Sequence, residues 1–207
     1  MSLSNVGSEQ GSPLSGGFVD AVPEAQRAFH ALMNALAQPG RCQPLKSLLA
    51  PEPLPGLLGT IGCTLLDHQT SVFLDEALQG GGQVGEWLIF QTGTVIADQR
   101  KDAGFAFIVD GERMRLADYG PGDQAYPDRS ATLCVNVPSF AEGPRLSLEG
   151  PGIKGKMIIA PAGLPADFID QWADNHALFP RGVDLFLTCE GEGVMGLPRS
   201  INIVQEG

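Results

Sequence analysis

The chain has 207 residues, with 13 basic against 24 acidic side chains for a net charge of -11, a field that repels nucleic acid and anionic membranes at long range. A hydrophobic fraction of 43% and a charged fraction of 18% exclude a disordered or fibrous chain and suit one domain with a full core. The 27 Gly and 16 Pro are spread along the chain, predicting many turns and short elements.

Residues 1–16 are rich in Ser and Gly and lack the basic and apolar parts of a signal peptide, so they read as a disordered lead-in, leaving 17–207 as the domain. The first helix is expected over Pro23 to Gln38, with Pro23 early, Glu24 at the positive end of the dipole and Pro39-Gly40 as the stop. Its apolar stripe is Ala25, Ala28, Phe29, Leu32 and Leu36. A short helix over Leu57 to Leu66 follows the Pro-rich loop Pro51 to Pro55. From Thr70 the pattern changes to apolar runs between turns: Ser71–Leu74, Trp87–Phe90, Phe105–Val109, Met114–Leu116 and Leu133–Val137 are strand candidates, with exposed loops at Gly80–Gly82 and Tyr119–Asp123. Leu146–Leu148 and Met157–Ile159 extend the strand series, and Pro165 to His176 is a second strong helix with Phe168, Ile169 and Trp172 on its apolar side. Val183 to Cys189, apolar apart from Asp184, suits a strand covered on both faces. Val194–Leu197 and Ile201–Val204 close the set. The expected architecture is a single α/β domain with a mixed central sheet flanked by helices.

Few side chains in this chain are arranged for chemistry. Gly150-Pro151-Gly152-Ile153-Lys154-Gly155 matches the Gly-x-Gly-x-x-Gly dinucleotide pattern, but strand-like Met157-Ile158-Ile159 then Pro161 follow where a helix is required. A tight turn between strands is the better reading. His30, His68 and His176 lack metal-ligand spacing, so no metal site is expected. Asp67-His68 has the residue types of half an acid-base pair, but reads better as an Asp-led turn after the second helix. No serine sits in a Gly-x-Ser-x-Gly elbow, and Cys42, Cys63, Cys134 and Cys189 have no Cys-x-x-Cys pairing and no basic cluster nearby, the pattern of reduced thiols in a cytoplasmic protein. No run approaches the ~20 apolar residues of a membrane helix. The anion-binding candidates are Arg41, Lys154 and Arg199, with Lys156 in the same glycine turn and Arg181 before the buried strand as further basic groups. An arginine fixed beside a proline turn is able to hold a phosphonate or phosphate with two parallel hydrogen bonds, or equally to cap carbonyls or pair with an acid.

Several blocks in fixed order resemble the H-subunit family of the bacterial carbon-phosphorus lyase system. They are Gly17-Phe18-Val19-Asp20, Ala25-Gln26-Arg27-Ala28-Phe29, Gln38-Pro39-Gly40-Arg41, Leu65 to Thr70, Leu148 to Ile153, Phe179 to Leu185 and Leu197-Pro198-Arg199-Ser200. The resemblance implies a reduced version of the large domain of pyridoxal-phosphate transferases, without the cofactor. It further implies a homodimer that joins the G, I and J subunits in a core complex. That complex forms ribose 1-phosphonate 5-triphosphate from MgATP and a phosphonate, with MgATP used by the complex and no cofactor bound by this chain. An assembly or accessory role is the expected function, the alternative being a phosphonate- or nucleotide-binding catalytic subunit with a pocket at a subunit interface. The resemblance carries no catalytic residue onto this sequence.

Overall fold

The computed structural model describes residues 14–206; residues 1–13 of the expected lead-in lie outside the described residues. Within them four α-helices, α1 (Ala21–Ala37), α2 (Gly56–Leu65), α3 (Gln83–Thr92) and α4 (Phe168–Ala177), enclose two sheets. The larger sheet is mixed, as expected. It comprises β1 (Ser71–Leu74), β2 (Val95–Ile96), β3 (Phe105–Ile108), β4 (Thr132–Asn136), β7 (Asp184–Cys189) and β8 (Gly193–Leu197), in the order β2-β1-β3-β4-β7-β8. All its neighbours pair in parallel except β7 with β8. A separate antiparallel sheet holds β5 (Leu146–Glu149), β6 (Met157–Ile159) and β9 (Asn202–Gln205), in the order β6-β5-β9. The last predicted strand therefore closes this second sheet and not the central one.

Alternation along each strand explains why the central runs are almost wholly apolar. Val72, Leu74, Phe107, Cys134, Phe186 and Val194 face α1, α2 and α3, where they meet Leu32, Leu58, Ile61 and Trp87. Phe73, Ala106, Leu133, Val135, Leu185 and Leu187 face the other way, toward Leu146, Leu148, Phe168, Trp172 and Ile203 of α4 and the small sheet. Trp172 is fully buried and its Nε1–H donates to the Ile201 carbonyl at 3.0 Å, so a large apolar side chain is buried without an orphaned donor.

The outer edge of β8 is sealed by the segment after α1. Gln43 and Val194 exchange backbone hydrogen bonds, and Gly40 N–H donates to Gly196 O. α1 lies on β8 at backbone contact: a Cβ on Gly196 would sit 2.5 Å from Ala35 C and O. That approach rotates the buried line of α1 onto Ala28, Leu32 and Ala35. Phe29, predicted to face the core, is 47% exposed.

Two expected strands are not strands. Trp87–Phe90 lies inside α3, whose buried Val84, Trp87 and Leu88 follow helical spacing and whose ends are set by the left-handed Gly82 and Gly93. Met114 and Arg115 link two single-turn 3-10 segments, Gly111–Arg113 and Leu116–Asp118, the second of which begins with Leu116. The Met114–Leu116 backbone is paired with a side chain and not a strand, since Leu116 N–H donates to Gln171 Oε1 at 2.8 Å and Gln171 Nε2 donates to Met114 O at 3.3 Å. Tyr119, at the start of an expected exposed loop, is buried.

Candidate functional site

The turns carrying the three anion candidates converge on the small sheet. The β5–β6 hairpin loop holds Lys154 and presses against the end of α1, where a Cβ on Gly152 would lie 2.3 Å from Ala37 O. Arg41 follows that helix end directly. On the other flank, Gly150 packs against Ile201, two residues beyond Arg199, and a Cβ there would lie 3.0 Å from the Ile201 Cα. The glycine motif is thus a hairpin turn with no helix leaving it.

The three side chains are not equivalent. Arg199 is committed inside the protein: Nε lies 3.1 and 3.2 Å from the two Asp184 carboxylate oxygens, Nη2 donates to Oδ2, and Nη1 donates to the Pro127 carbonyl at 2.8 Å. Its backbone N–H also donates to Asp184 Oδ1, and His176 Nδ1 lies 2.9 Å from its carbonyl. One bidentate pair therefore ties the start of β7 to the turn after β8. Arg41 is exposed with only a 3.4 Å contact to Gln38 Oε1, and Lys154 is exposed at the hairpin tip. None of the three lines either of the two cavities described next.

A cavity of about 630 Å³ opens between the start of α1, the 44–49 segment and the β7–β8 turn. Phe18, Val19, Leu45, Leu48 and Leu49 supply an apolar wall. Polar groups there are mostly engaged. Glu24 accepts from Lys46 Nζ at 2.8 Å and from Val19 N–H at 2.9 Å, and the Lys46 hydrogen bond leads in holding its carboxyl below the usual range. Glu190 accepts the Leu57 N–H, supplying the cap that α2, entered from Pro55, lacks in its own sequence. Behind the turn, Cys42 Sγ reaches Glu192 O at 3.2 Å and Cys189 Sγ reaches Glu192 Oε1 at 3.2 Å. Burial first, then Glu192, pushes both thiols up, Cys189 to about 11. These are not activated nucleophiles.

A second cleft, of about 390 Å³, adjoins the carboxyl ends of β1 and β3. The five parallel strands run in the order second, first, third, fourth, fifth along the chain, so the connections diverge between β1 and β3. In open α/β sheets such a switch point is where ligands enter, on free backbone N–H groups. Here those donors are taken by the protein itself. The buried Asp75 accepts N–H from Val109 at 2.6 Å, Asp110 at 3.1 Å and Leu78 at 3.2 Å. Tyr119 packs edge-on against Phe73, whose ring also carries the Arg100 guanidinium at 5.0 Å. Burial pushes the Tyr119 phenol up, against the pull of Arg100. None of Asp75, Arg100 and Tyr119 stands out from the sequence as a site residue. The available signals were an acid ending an apolar run, Leu74-Asp75, and a cluster of cations from Arg100 to Arg115.

Among the described residues no group of three or more His, Cys, Asp or Glu is placed to hold a metal ion, and no helix is long and apolar enough to cross a membrane. Asp67-His68 is a turn, with Asp67 Oδ1 accepting the Gln69 N–H and Thr70 closing onto Asp67. The class defined by this fold is an α/β protein with a mixed central sheet, whose switch-point N–H groups are taken by the internal Asp75 carboxylate. Its membership is specific: the chain belongs to the bacterial phosphonate metabolism (PhnH) family, whose model matches residues 16–204. It is 43% identical over 194 residues to the alpha-D-ribose 1-methylphosphonate 5-triphosphate synthase subunit PhnH of Rhizobium meliloti (strain 1021), covering 93% of this chain and 96% of that one. It is 31% identical over 188 residues to HtxG of Stutzerimonas stutzeri, assigned as a C-P lyase subunit, covering 89% and 88%.

Proposed function

We propose that this chain is an assembly or accessory subunit of a cytoplasmic complex that forms alpha-D-ribose 1-methylphosphonate 5-triphosphate from MgATP and a phosphonate. In this reading it is a homodimer in isolation and contacts the G, I and J subunits of the complex, which uses MgATP while this chain binds no cofactor. The carrying observation is an apolar stripe left exposed among the described residues. On α1, Val22, Phe29 and Met33 are 71%, 47% and 50% exposed, and their spacing of seven and four places them on one face. A second group, Ile89, Phe90 and Val95, is exposed on α3 and the edge strand β2. Apolar side chains aligned on one face mark surfaces that partners cover.

The likeness to the transferase large domain is part of the same reading, supported by the parallel strands with one antiparallel strand at the edge. The interface-pocket alternative rests on Arg41 and Lys154, which are exposed on touching turns; the pairing of Arg199 with Asp184 weighs against its sharing that role. Co-expression with the partner subunits tests the proposal. The chain should co-purify with them, and Phe29→Asp with Met33→Asp should abolish co-purification while the isolated chain melts as before. Retained assembly in that double variant would remove the α1 face from the reading, and no assembly of the unaltered chain would remove the reading itself.

A further inference from the structure

Of the two cavities described, the cleft beside Asp75 carries the more cationic side chains. Three of the nine arginines, Arg100, Arg113 and Arg115, line it, in a chain of net charge -11. They come from the crossover after β2 and from the segment following β3. Arg113 lies 3.3 Å from Asp110, an exposed pair of little energetic weight. Arg100 is braced on Phe73 and beside Tyr119. Arg115 is exposed and has no ion-pair partner among the described residues.

With the backbone N–H groups at the switch point occupied by Asp75, an oxyanion in this cleft has to be held by guanidinium forks, the side chains best matched to phosphate geometry. A bare anion is not the whole match. Asp75, buried and engaged by backbone N–H groups, and Glu76, exposed on the same wall, would repel a second anionic group, while the Glu76 carboxylate is free to accept hydrogen bonds from hydroxyls, as acidic residues near switch points do for ribose. The volume of about 390 Å³ suits a small metabolite.

We propose that this cleft binds a sugar phosphate, with Arg100 and Arg115 on the phosphate and Glu76 on the sugar hydroxyls. The choice of a ribose-type sugar rests on the proposed function, since the product of that complex is a ribose ester; the oxyanion and hydroxyl chemistry rests on the cleft alone. The site is separate from the turns bearing Arg41, Lys154 and Arg199.

Titration calorimetry of the full chain with ribose 5-phosphate, inorganic phosphate and ribose tests it. Ribose 5-phosphate should bind saturably and at least about tenfold more tightly than either fragment. Arg115→Gln should weaken it by about tenfold or more, the scale of one charge-assisted hydrogen bond. Glu76→Gln should weaken ribose 5-phosphate while leaving inorganic phosphate unchanged. Both replaced residues are exposed, so unchanged melting curves are expected. Absence of saturable binding, equal affinity for phosphate and ribose 5-phosphate, or indifference to Arg115→Gln would each overturn the site. Co-purification of the unaltered chain with partner subunits, set beside its titration, separates the two proposals: assembly without ligand binding sinks the cleft alone, and ligand binding without assembly sinks the subunit reading alone.

Discussion

Arg199 is the sharpest place to separate structure from chemistry, because one guanidinium joins two family motifs inside the fold. Arg199→Ala deletes the fork on Asp184 and the donor to Pro127 O at 2.8 Å, leaving Asp184, whose side chain is 17% exposed, with the backbone N–H of residue 199. Removing one member of a largely buried pair costs about 3 kcal/mol, with the residual solvent contact keeping it from the top of the usual range. For a chain of this size that lowers the melting temperature by about 6–12 °C. Arg199→Lys keeps the charge and loses the planar fork, so it should fall between the two. The double variant Asp184→Leu, Arg199→Met removes both charges and should regain much of the loss. Scanning calorimetry of the four proteins checks this order. A variant Arg199→Ala that melts like the parent yet fails in phosphonate-dependent growth would refute the structural assignment and return Arg199 to the anion-binding candidates.

Gly196→Ala should destabilise by about 2–3 kcal/mol through overpacking, because its Cβ would meet backbone atoms Ala35 C and O at 2.5 Å and Leu36 N at 2.7 Å. Gly80→Ala, with nothing within 4 Å, should be neutral or slightly stabilising; urea denaturation yielding equal midpoints for the two would contradict the close α1–β8 approach. Burial pushes the Cys63 thiol from 9.0 to about 11. A raised thiol pKa stabilises the fold fully below the unfolded value near 9, and that contribution, at most roughly 3 kcal/mol, is lost as pH rises through about 11. Stability measured from pH 8 to 11 should therefore fall less steeply in Cys63→Ala than in the parent, and identical slopes would dismiss the linkage.

Much of the larger sheet was legible because strands covered on both faces leave a plain signature, as in Val183-Asp184-Leu185-Phe186-Leu187. The same signature misleads at Trp87-Leu88-Ile89-Phe90, where four apolar residues in a row do not distinguish strand from helix; the deciding residues were Val84, three positions before Trp87, and the flanking glycines. β2, only two residues long, is beyond any periodicity argument. Sheet membership was equally hidden. Nothing local to Asn202–Gln205 says that it pairs with β5 across more than fifty residues. The site followed the same pattern. Arg199 was readable as an arginine held beside a proline, but not its commitment to Asp184, fifteen residues back. The Asp75 cleft draws its residues from after three different strands, so no contiguous motif could announce it.

The residues that make the family recognisable are largely those that fix close contacts. Gly40 and Gly152 adopt left-handed φ of 77° and 84°, and a Cβ on either would meet a neighbour at 2.7 Å or less. Gly150 lies against Ile201, and Arg199 is locked to Asp184. All of these gather where α1, the β5–β6 hairpin and the turn after β8 meet, setting how the small sheet sits against the central one. Motifs of this kind preserve a shape, and they are silent about which faces of that shape are used. The exposed α1 stripe and the arginine-lined cleft lie outside those turns. In the proposed reading it is those surfaces, and not the motif turns, that carry the contacts with partners and ligands, so substitutions on the α1 stripe and in the cleft, and not in the turns, are the ones that separate function from stability.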